Sequence, residues 1–226
     1  MKRNITSHFL KINLFVLITF FFASCGGEEN TTTQEQKTVA APVKTTPPKV
    51  EKYAKPAIKQ YHVSTLEHQE LAYLSIDKAF TFVAAGNEQL NGELKGVKRK
   101  YTNATGRLTY VVKHSDDGFK LRDSLETLRW KVKVYPEKIK IADNEEMNNS
   151  FEIKRTDNFK IKIEQHGSEL FKWKVAQANE SGKTNLMDQF MITGFDNKLS
   201  SGVLLLKNIP QIEQYVIAVE LLDKGQ

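Results

Sequence analysis

The feature that most constrains the fold of this chain is an alternation of apolar and charged residues between residues 119 and 175. Successive side chains point to opposite faces only in a β-strand, so each alternating run predicts a strand with one buried and one solvated face. The runs cover residues 119–122, 128–134, 138–141, 151–154, 159–163 and 170–175. A sheet with one apolar face needs a hydrophobic partner, which the rest of the chain must supply.

Shorter apolar runs upstream predict more strands of the same kind. They cover residues 71–76, 79–83, 97–101 and 108–112, and turn-forming Gly, Asn and Asp residues separate them. We therefore expect nine or ten strands at the short spacing of a barrel or sandwich. The hairpin that starts at Phe119 is repeated about 40 residues later. This repeat places Trp130 and Trp173 on the buried phase of their strands.

The C-terminal segment has a different pattern. Ser200 and Ser201 are candidate capping residues before an apolar run at 203–206. Pro210 then begins a segment in which Glu220 is the only polar residue between residues 215 and 222. A helix that is apolar on nearly all sides is buried, and a dozen residues are too few to cross a bilayer. The predicted fold is mainly β: an antiparallel barrel of short hairpin strands around or against this apolar helix. A sandwich with the helix at one edge is the alternative.

Residues 97–222 resemble the tubby-like barrel, a group that includes the LURP-one-related and phospholipid-scramblase families. The resemblance rests on the hairpin periodicity and on the position of the apolar helix, and it implies a closed antiparallel barrel that encloses the helix. The phosphoinositide contacts of tubby domains have no matching motif in this sequence, so none is transferred to it.

The N-terminus predicts export. Basic residues precede an apolar run at 14–22, which is too short for a membrane span and is typical of a secretory signal at residues 1–24. Residues 22–26 resemble the lipobox of bacterial lipoproteins, although Phe22 stands where leucine is commoner. The resemblance implies cleavage before Cys25, the only cysteine, and attachment of lipid, including palmitate, to it. Residues 25–56 are rich in Thr, Gln and Pro and predict a disordered tether before a single domain at 57–226.

The acidic pair Glu28–Glu29 resembles the surface-export signal of lipoproteins from one Gram-negative phylum. It implies an outer-membrane lipoprotein, with the cell surface favoured over the periplasmic face. Two chance glutamates in a solvated linker are the alternative. The triplet 123–125 resembles a short O-glycosylation acceptor of the same phylum.

The formal charge of +6 falls to +3 when the three basic residues of the signal are removed, and residues 95–183 hold 20 basic and 13 acidic residues. Such a region can attract phosphates, lipid headgroups or acidic glycans. It can equally be a solvated exterior that protects sheet edges. The candidate anion- or lipid-binding patch, expected on exposed parts of strands, is Lys98, Arg99, Lys100, Lys131 and Lys133.

No catalytic constellation is present in the sequence. The four histidines of the mature chain are far apart, and neither a metalloprotease helix nor a glycine-rich phosphate loop occurs. The acidic groups 116–117 and 143–146 are more typical of turns than of calcium loops. We therefore expect no catalytic residue, metal, cofactor or nucleic-acid partner. The predicted function is a membrane-anchored, non-catalytic binding or accessory module of the cell envelope, and a structural or assembly partner of other envelope proteins is the alternative.

Overall fold

The computed structural model describes residues 58–157, 160–174, 183–195 and 198–226. The predicted signal peptide, the tether and Cys25 lie outside the described residues, as do Phe159 and Val175 of the alternating stretch. The described part contains fourteen strands, one 3₁₀ helix and one α-helix. None of its helices is long and apolar enough to cross a membrane.

The strands are numbered in chain order. They are β1 (Lys59–Ser64), β2 (Glu70–Asp77), β3 (Phe80–Ala85), β4 (Glu88–Lys95), β5 (Lys98–Asn103), β6 (Leu108–Ser115), β7 (Gly118–Asp123), β8 (Leu128–Tyr135), β9 (Lys138–Ala142), β10 (Phe151–Asp157), β11 (Lys160–Gln165), β12 (Ser168–Lys174), β13 (Lys183–Leu186) and β14 (Phe190–Thr193). Four of them were not predicted. Strands β1 and β4 are mostly polar, and β13 and β14 have only four residues each.

All described strands belong to one antiparallel sheet. Strands β1 to β12 follow each other in chain order, and β14 pairs with the other side of β1. The prediction of a mainly β fold built from antiparallel hairpins with a C-terminal helix is confirmed. The sheet is curled but not closed, because β12 and β13 remain its two edges within the described residues. The strands of the described ranges do not divide into the two separate sheets of a sandwich.

The length of the chain between the two edges explains why the sheet must curl. Fourteen flat strands would separate β12 from β13 by roughly 60 Å, at about 4.8 Å per strand. The chain passes from Lys174 at one edge to Lys183 at the other in nine residues, which span at most about 30 Å. The right-handed twist of neighbouring strands supplies the necessary curvature. The concave face thereby becomes an interior.

The interior is filled by alternate residues of the strands and by both helices. Strand β2 contributes Leu74, β7 contributes Leu121 and β11 contributes Ile163, and all three are fully buried. The 3₁₀ helix, Leu199–Leu205, is buried along its whole length and packs against β10 and β11. A Cβ atom at Gly202 would lie 2.8 Å from Cγ2 of Ile153, so only glycine permits this close approach.

The α-helix, α1 (Gln211–Asp223), is the hydrophobic partner that the sequence predicts. Every residue from Glu213 to Leu222 is buried, and the helix packs on the 3₁₀ helix and against β2 and β3. One detail of the prediction is wrong. The serines before residue 203 do not cap a helix, because Ser201 Oγ donates to the carbonyl of Lys198 and Ser200 Oγ to that of Gln226.

We expect neighbouring residues of β12 to differ sharply in their effect on stability. Trp173 is 7% exposed and packs beside Gly202, whereas the side chain of Lys172 points to solvent. Trp173→Ala should lower the free energy of unfolding by about 3–5 kcal/mol, and Lys172→Ala should change it by less than about 0.5 kcal/mol. Denaturant unfolding of both variants measures the difference. Equal effects would mean that β12 does not enclose the core.

Candidate anion-binding face

The outer face of strands β4 to β8 carries lysines at directly opposed positions. Each of these lysines faces the next one across a strand pair. The five residues, called the lysine row below, are Lys95, Lys98, Lys113, Lys120 and Lys131. At about 4.8 Å per strand the lysine row is roughly 19 Å long. The two-residue turns between β4 and β5 and between β6 and β7 fix two of these four pairings, because a turn of that length determines which residues face each other.

The lysine row is electrostatically unfavourable in the absence of an anion. Like charges that face each other across a strand pair are destabilising. Lys98 and Lys113 are exposed, and no carboxylate of the described residues lies within ion-pair distance of either. Lys95 is 3.2 Å from Glu93, which is its own strand neighbour. The centre of the lysine row is therefore an uncompensated positive surface.

The outer face of β9 to β12 also carries directly opposed lysines, but most of them have a carboxylate partner. They are Lys138, Lys154, Lys162 and Lys172, and the first three lie within ion-pair distance of Glu152 or Glu164. Lys140 Nζ lies 2.7 Å from Glu152, and Lys162 Nζ lies 2.5 Å from Glu164. Lys154 also contacts Glu164, and the hydrogen bonds from Lys154 and Lys162 lower the pKa of the Glu164 carboxyl to about 2. These lysines are those of an ordinary solvated exterior. The β4–β8 half of the sheet differs from it because two neighbouring opposed lysines, Lys98 and Lys113, have no carboxylate partner among the described residues.

Four of the five predicted patch residues lie on the outer face. Lys98 and Lys100 are exposed on β5. Lys131, on β8, lies beside Glu145, and Lys133 Nζ is 3.0 Å from Asp117. The patch is therefore only partly free, because two of its lysines already have carboxylate partners.

The fifth patch residue, Arg99, was wrongly expected at the surface. Its side chain is 0% exposed and points into the interior, because it has the opposite phase from Lys98 and Lys100. Arg99 Nη1 donates to Glu220 Oε2 at 2.8 Å, and Nη2 donates to Asp223 Oδ2 at 3.0 Å. Arg99 is thus the internal counter-ion of helix α1.

Glu220 is the centre of a buried polar network. Its second oxygen, Oε1, accepts a 2.5 Å hydrogen bond from the hydroxyl of Tyr101, and Nε2 of His114 lies 3.1 Å from Oε2. Burial favours the neutral acid, but His114, Arg99 and Tyr101 together outweigh it and lower the pKa of Glu220. Burial and the nearby Glu220 raise the pKa of Tyr101 well above its ordinary value. Glu220 is therefore held ionised inside the protein.

Gly92 on β4 provides the space for this network. It faces inward, and a Cβ atom there would lie 2.2 Å from Thr81 Oγ1 and 2.7 Å from a ring carbon of Tyr101. Thr81 Oγ1 in turn donates to the hydroxyl of Tyr101 at 3.1 Å. Any larger residue at position 92 would displace these side chains.

A second buried carboxylate, Glu213, fixes the other end of helix α1. Its Oε2 accepts from Trp130 Nε1 at 2.5 Å, and its Oε1 accepts from Arg129 Nε at 3.0 Å. The hydroxyl of Tyr110 also donates to Glu213, and burial and this carboxylate raise the pKa of Tyr110 to about 12. Trp130 thus faces the core, as predicted, and also supports the helix.

The remaining sequence candidates lie in turns and on separate strands. Asp117 belongs to the β6–β7 turn, and Ser124 lies in the exposed β7–β8 turn, where Asp123 Oδ1 accepts from the backbone of Leu125 at 2.9 Å. His62 pairs with Glu70 at 2.9 Å. Within the described ranges, His, Cys, Asp and Glu side chains form no group of three that could hold a metal ion.

Comparison with protein-family models, with characterised proteins and with solved structures gives no match for this chain. The resemblance to the tubby-like barrel therefore stays a prediction from the sequence.

We expect Arg99→Met to destabilise the protein by about 3–5 kcal/mol at neutral pH, since it leaves Glu220 buried without its strongest counter-ion. Lys98→Met and Lys100→Met, on the same strand, should each change stability by less than about 0.5 kcal/mol. Denaturant unfolding at pH 7 gives the comparison. A second change, Glu220→Met, should recover much of the loss in Arg99→Met.

The pH dependence gives an independent check of the same pair. The lowered pKa of Glu220 means that its contribution to wild-type stability is present above its ordinary value of 4.5 and is lost as the pH falls below it. In Arg99→Met, burial should instead favour the neutral acid, so the variant should be least stable at neutral pH. The stability gap between the two proteins should narrow in acid. A gap that is constant from pH 7 to pH 4 would contradict the role given to Glu220.

Proposed function

We propose that the chain is an outer-membrane lipoprotein, anchored through an acylated Cys25, whose folded domain is a non-catalytic binding module for an anionic component of the cell envelope. The observation that supports the proposal is the lysine row. It places like charges opposite each other, and its centre has no carboxylate partner among the described residues. A surface that costs stability in the free protein is compensated when an anionic ligand lies on it.

The buried ionisable groups favour a binding role over a catalytic one. Both carboxylates of helix α1 are bound by internal donors, Glu220 by Arg99 and Tyr101 and Glu213 by Trp130. A catalytic acid or base needs access to a substrate proton. These groups instead use their charge to position the helix, which leaves the outer face as the surface for recognition.

The predicted tether fits an anchored module. The chain from Cys25 to the start of β1 at Lys59 has 34 residues, which could span roughly 110 Å when fully extended. Such a length would allow the lysine row to meet lipid headgroups or glycans at some distance from the anchor. The cell-surface orientation implied by Glu28–Glu29 is part of the same proposal.

A role as an assembly partner of other envelope proteins is the second candidate. Phe80 and Val97 are each 58% exposed. Phe80 begins β3, and Val97 lies in the β4–β5 turn at the same end of the sheet. Exposed apolar patches are typical of protein contact sites. Two side chains make a smaller feature than the lysine row, so the binding module is preferred.

The lysine row, together with the neighbouring patch residue Lys100, is tested by a triple change, Lys98→Ser with Lys100→Ser and Lys113→Ser, in the full-length protein. We expect binding to a sulfated heparin disaccharide or to soluble short-chain phosphatidylglycerol to weaken at least about threefold, because exposed charge pairs contribute roughly 0.2–1 kcal/mol each. The effect should disappear at high salt. Stability should stay equal or rise slightly, since like-charge repulsion is removed. Isothermal titration measures the affinity, and the two ligands identify the preferred class.

The matched control removes three exposed lysines from other surfaces: Lys59→Ser, Lys172→Ser and Lys207→Ser. It changes the net charge by the same amount. Equal weakening of ligand binding in both triple variants would therefore mean that only the net charge of the protein matters. Unchanged binding in the first variant would refute the binding role of the lysine row.

The anchor is tested separately through Cys25. Cys25→Ala should abolish incorporation of labelled palmitate and leave the precursor uncleaved. The neighbouring change Ser24→Ala should preserve both the palmitate incorporation and the cleavage. Acyl chains contribute about 0.8 kcal/mol per buried methylene, so the processed protein should float with membranes and the variant should lose that lipid-dependent association. Metabolic labelling and flotation measure these outcomes. Equal labelling of wild type and Cys25→Ala would refute the assignment.

A further inference from the structure

Three cations of the outer face converge on one carboxylate. Glu145, in the segment between β9 and β10, has its Oε2 2.7 Å from Lys120 Nζ and 3.4 Å from Lys131 Nζ. Its Oε1 lies 3.2 Å from Arg122 Nη2. The three cations are called the cradle below. They come from two neighbouring strands, β7 and β8, so the sheet itself fixes their relative positions.

The cradle has more positive charge than one carboxylate can neutralise. Three cations face a single negative charge, and the next member of the lysine row, Lys113, lies directly opposite Lys120. The guanidinium of Arg122 is already oriented, because its Nη1 donates to the carbonyl of Glu126 at 2.7 Å while Nη2 points to Glu145. Oriented Arg and Lys donors around one point are the arrangement that binds phosphate and sulfate groups.

Glu145 is a removable occupant of the cradle. Its side chain is 42% exposed. The segment that carries it has hydrogen bonds of its own: Asn144 Oδ1 accepts from the backbone N–H of Asn148 at 2.9 Å, and Asn144 Nδ2 donates to the carbonyl of Asn148 at 2.8 Å. Lys131 Nζ also donates to the backbone carbonyl of Glu145 at 2.5 Å, a contact that does not involve the carboxylate. The carboxylate can therefore leave while the turn persists.

The charge state of Glu145 supports the same view. A hydrogen bond from Lys120 is the main cause of a lowered pKa, and Lys131 adds to it, so the carboxylate stays ionised at neutral pH. The ionised Glu145 carboxylate would therefore compete with an anionic ligand for the three cations of the cradle. A group tethered next to its site has a millimolar or higher effective concentration, so it can suppress the binding of weak monovalent anions.

We propose that Lys120, Arg122 and Lys131 form a binding site for a multiply charged oxyanion, a phosphate or sulfate ester group, and that Glu145 occupies this site as an internal competitor until such a ligand displaces it. The inference deepens the proposed function and rests on it. It names the chemical group recognised at one end of the lysine row and the device that keeps singly charged anions out.

The test compares Glu145→Gln with Glu146→Gln in the full-length protein. Both changes remove one negative charge from the same segment, but Glu146 is exposed and contacts none of the three cations. We expect Glu145→Gln to bind inorganic pyrophosphate about tenfold more tightly than wild type, a change of about 1.4 kcal/mol, and Glu146→Gln to bind it within about twofold of wild type. Isothermal titration at low salt measures both. Adding Lys120→Ser to Glu145→Gln should abolish the gain.

Two results would overturn the inference. Equal gains in Glu145→Gln and Glu146→Gln would show a general charge effect, and weaker binding in Glu145→Gln would show that the carboxylate only holds its segment in place. If Glu145→Gln does not fold, as judged by thermal unfolding, Glu145→Asp replaces it. The shorter side chain keeps the charge but contacts the cradle less closely, so it should also bind pyrophosphate more tightly than wild type, and unchanged affinity would refute the competitor.

The lysine-row variant separates this inference from the proposed function. Lys98→Ser with Lys100→Ser and Lys113→Ser could weaken binding of the heparin disaccharide while Glu145→Gln has no effect. That result would refute the role of Glu145 as a competitor and would support the binding module. If neither variant changes any affinity, both fail. Titration of Glu145→Gln with pyrophosphate and with the heparin disaccharide distinguishes a phosphate site from a sulfate site.

Discussion

The buried contact between Arg99 and Glu220 is the interaction on which the rest of the structure depends. An apolar helix inside an apolar sheet could slide or rotate, because dispersion and burial have little direction. Glu213 and Glu220 are two helical turns apart on one side of α1, about 10 Å along its axis. Arg99 on β5 and Trp130 on β8 each bind one of them. The two carboxylates thus fix both the position and the rotation of the helix.

The same contact determines what the outside of the sheet presents. Strand β5 alternates, so the register that brings Arg99 to Glu220 also turns Lys98 and Lys100 to solvent. A slip of one residue would expose Arg99 and bury two lysines without partners, which the core cannot tolerate. The register of the lysine row is therefore secured from the interior. The surface cations need no packing of their own to stay aligned.

This coupling between the interior and the outer face also shows which parts of the fold could be predicted from the sequence and which could not. The period-two alternation predicted the hairpin strands, because burial on one face is visible in the order of residues, and the nearly uninterrupted apolar segment after Pro210 predicted the buried helix. Arg99 was misplaced because three adjacent cations look like one patch. The signal against that interpretation was Glu220, since a lone acid in a buried helix requires an internal cation.

The alignment of Lys113 with Lys120 could also have been predicted. A two-residue turn after Ser115 places Ser115 opposite Gly118, and counting outward then puts the two lysines face to face. The position of Glu145 could not be predicted from the sequence, because it depends on how an irregular segment folds back over β7 and β8. Periodicity carries no information about that path. The cradle is thus visible only in three dimensions.

The two halves of the outer face differ in what they can attract. Glu152 and Glu164 pair with the lysines around β10 and β11, so Lys140, Lys154 and Lys162 each have a carboxylate beside them. In the lysine row the strands that carry the cations lie about 4.8 Å apart, closer than the Debye length of about 8 Å at physiological ionic strength. Neighbouring charges at that spacing act together on one ligand. The row therefore favours anions that carry several charges along their length over single small ions.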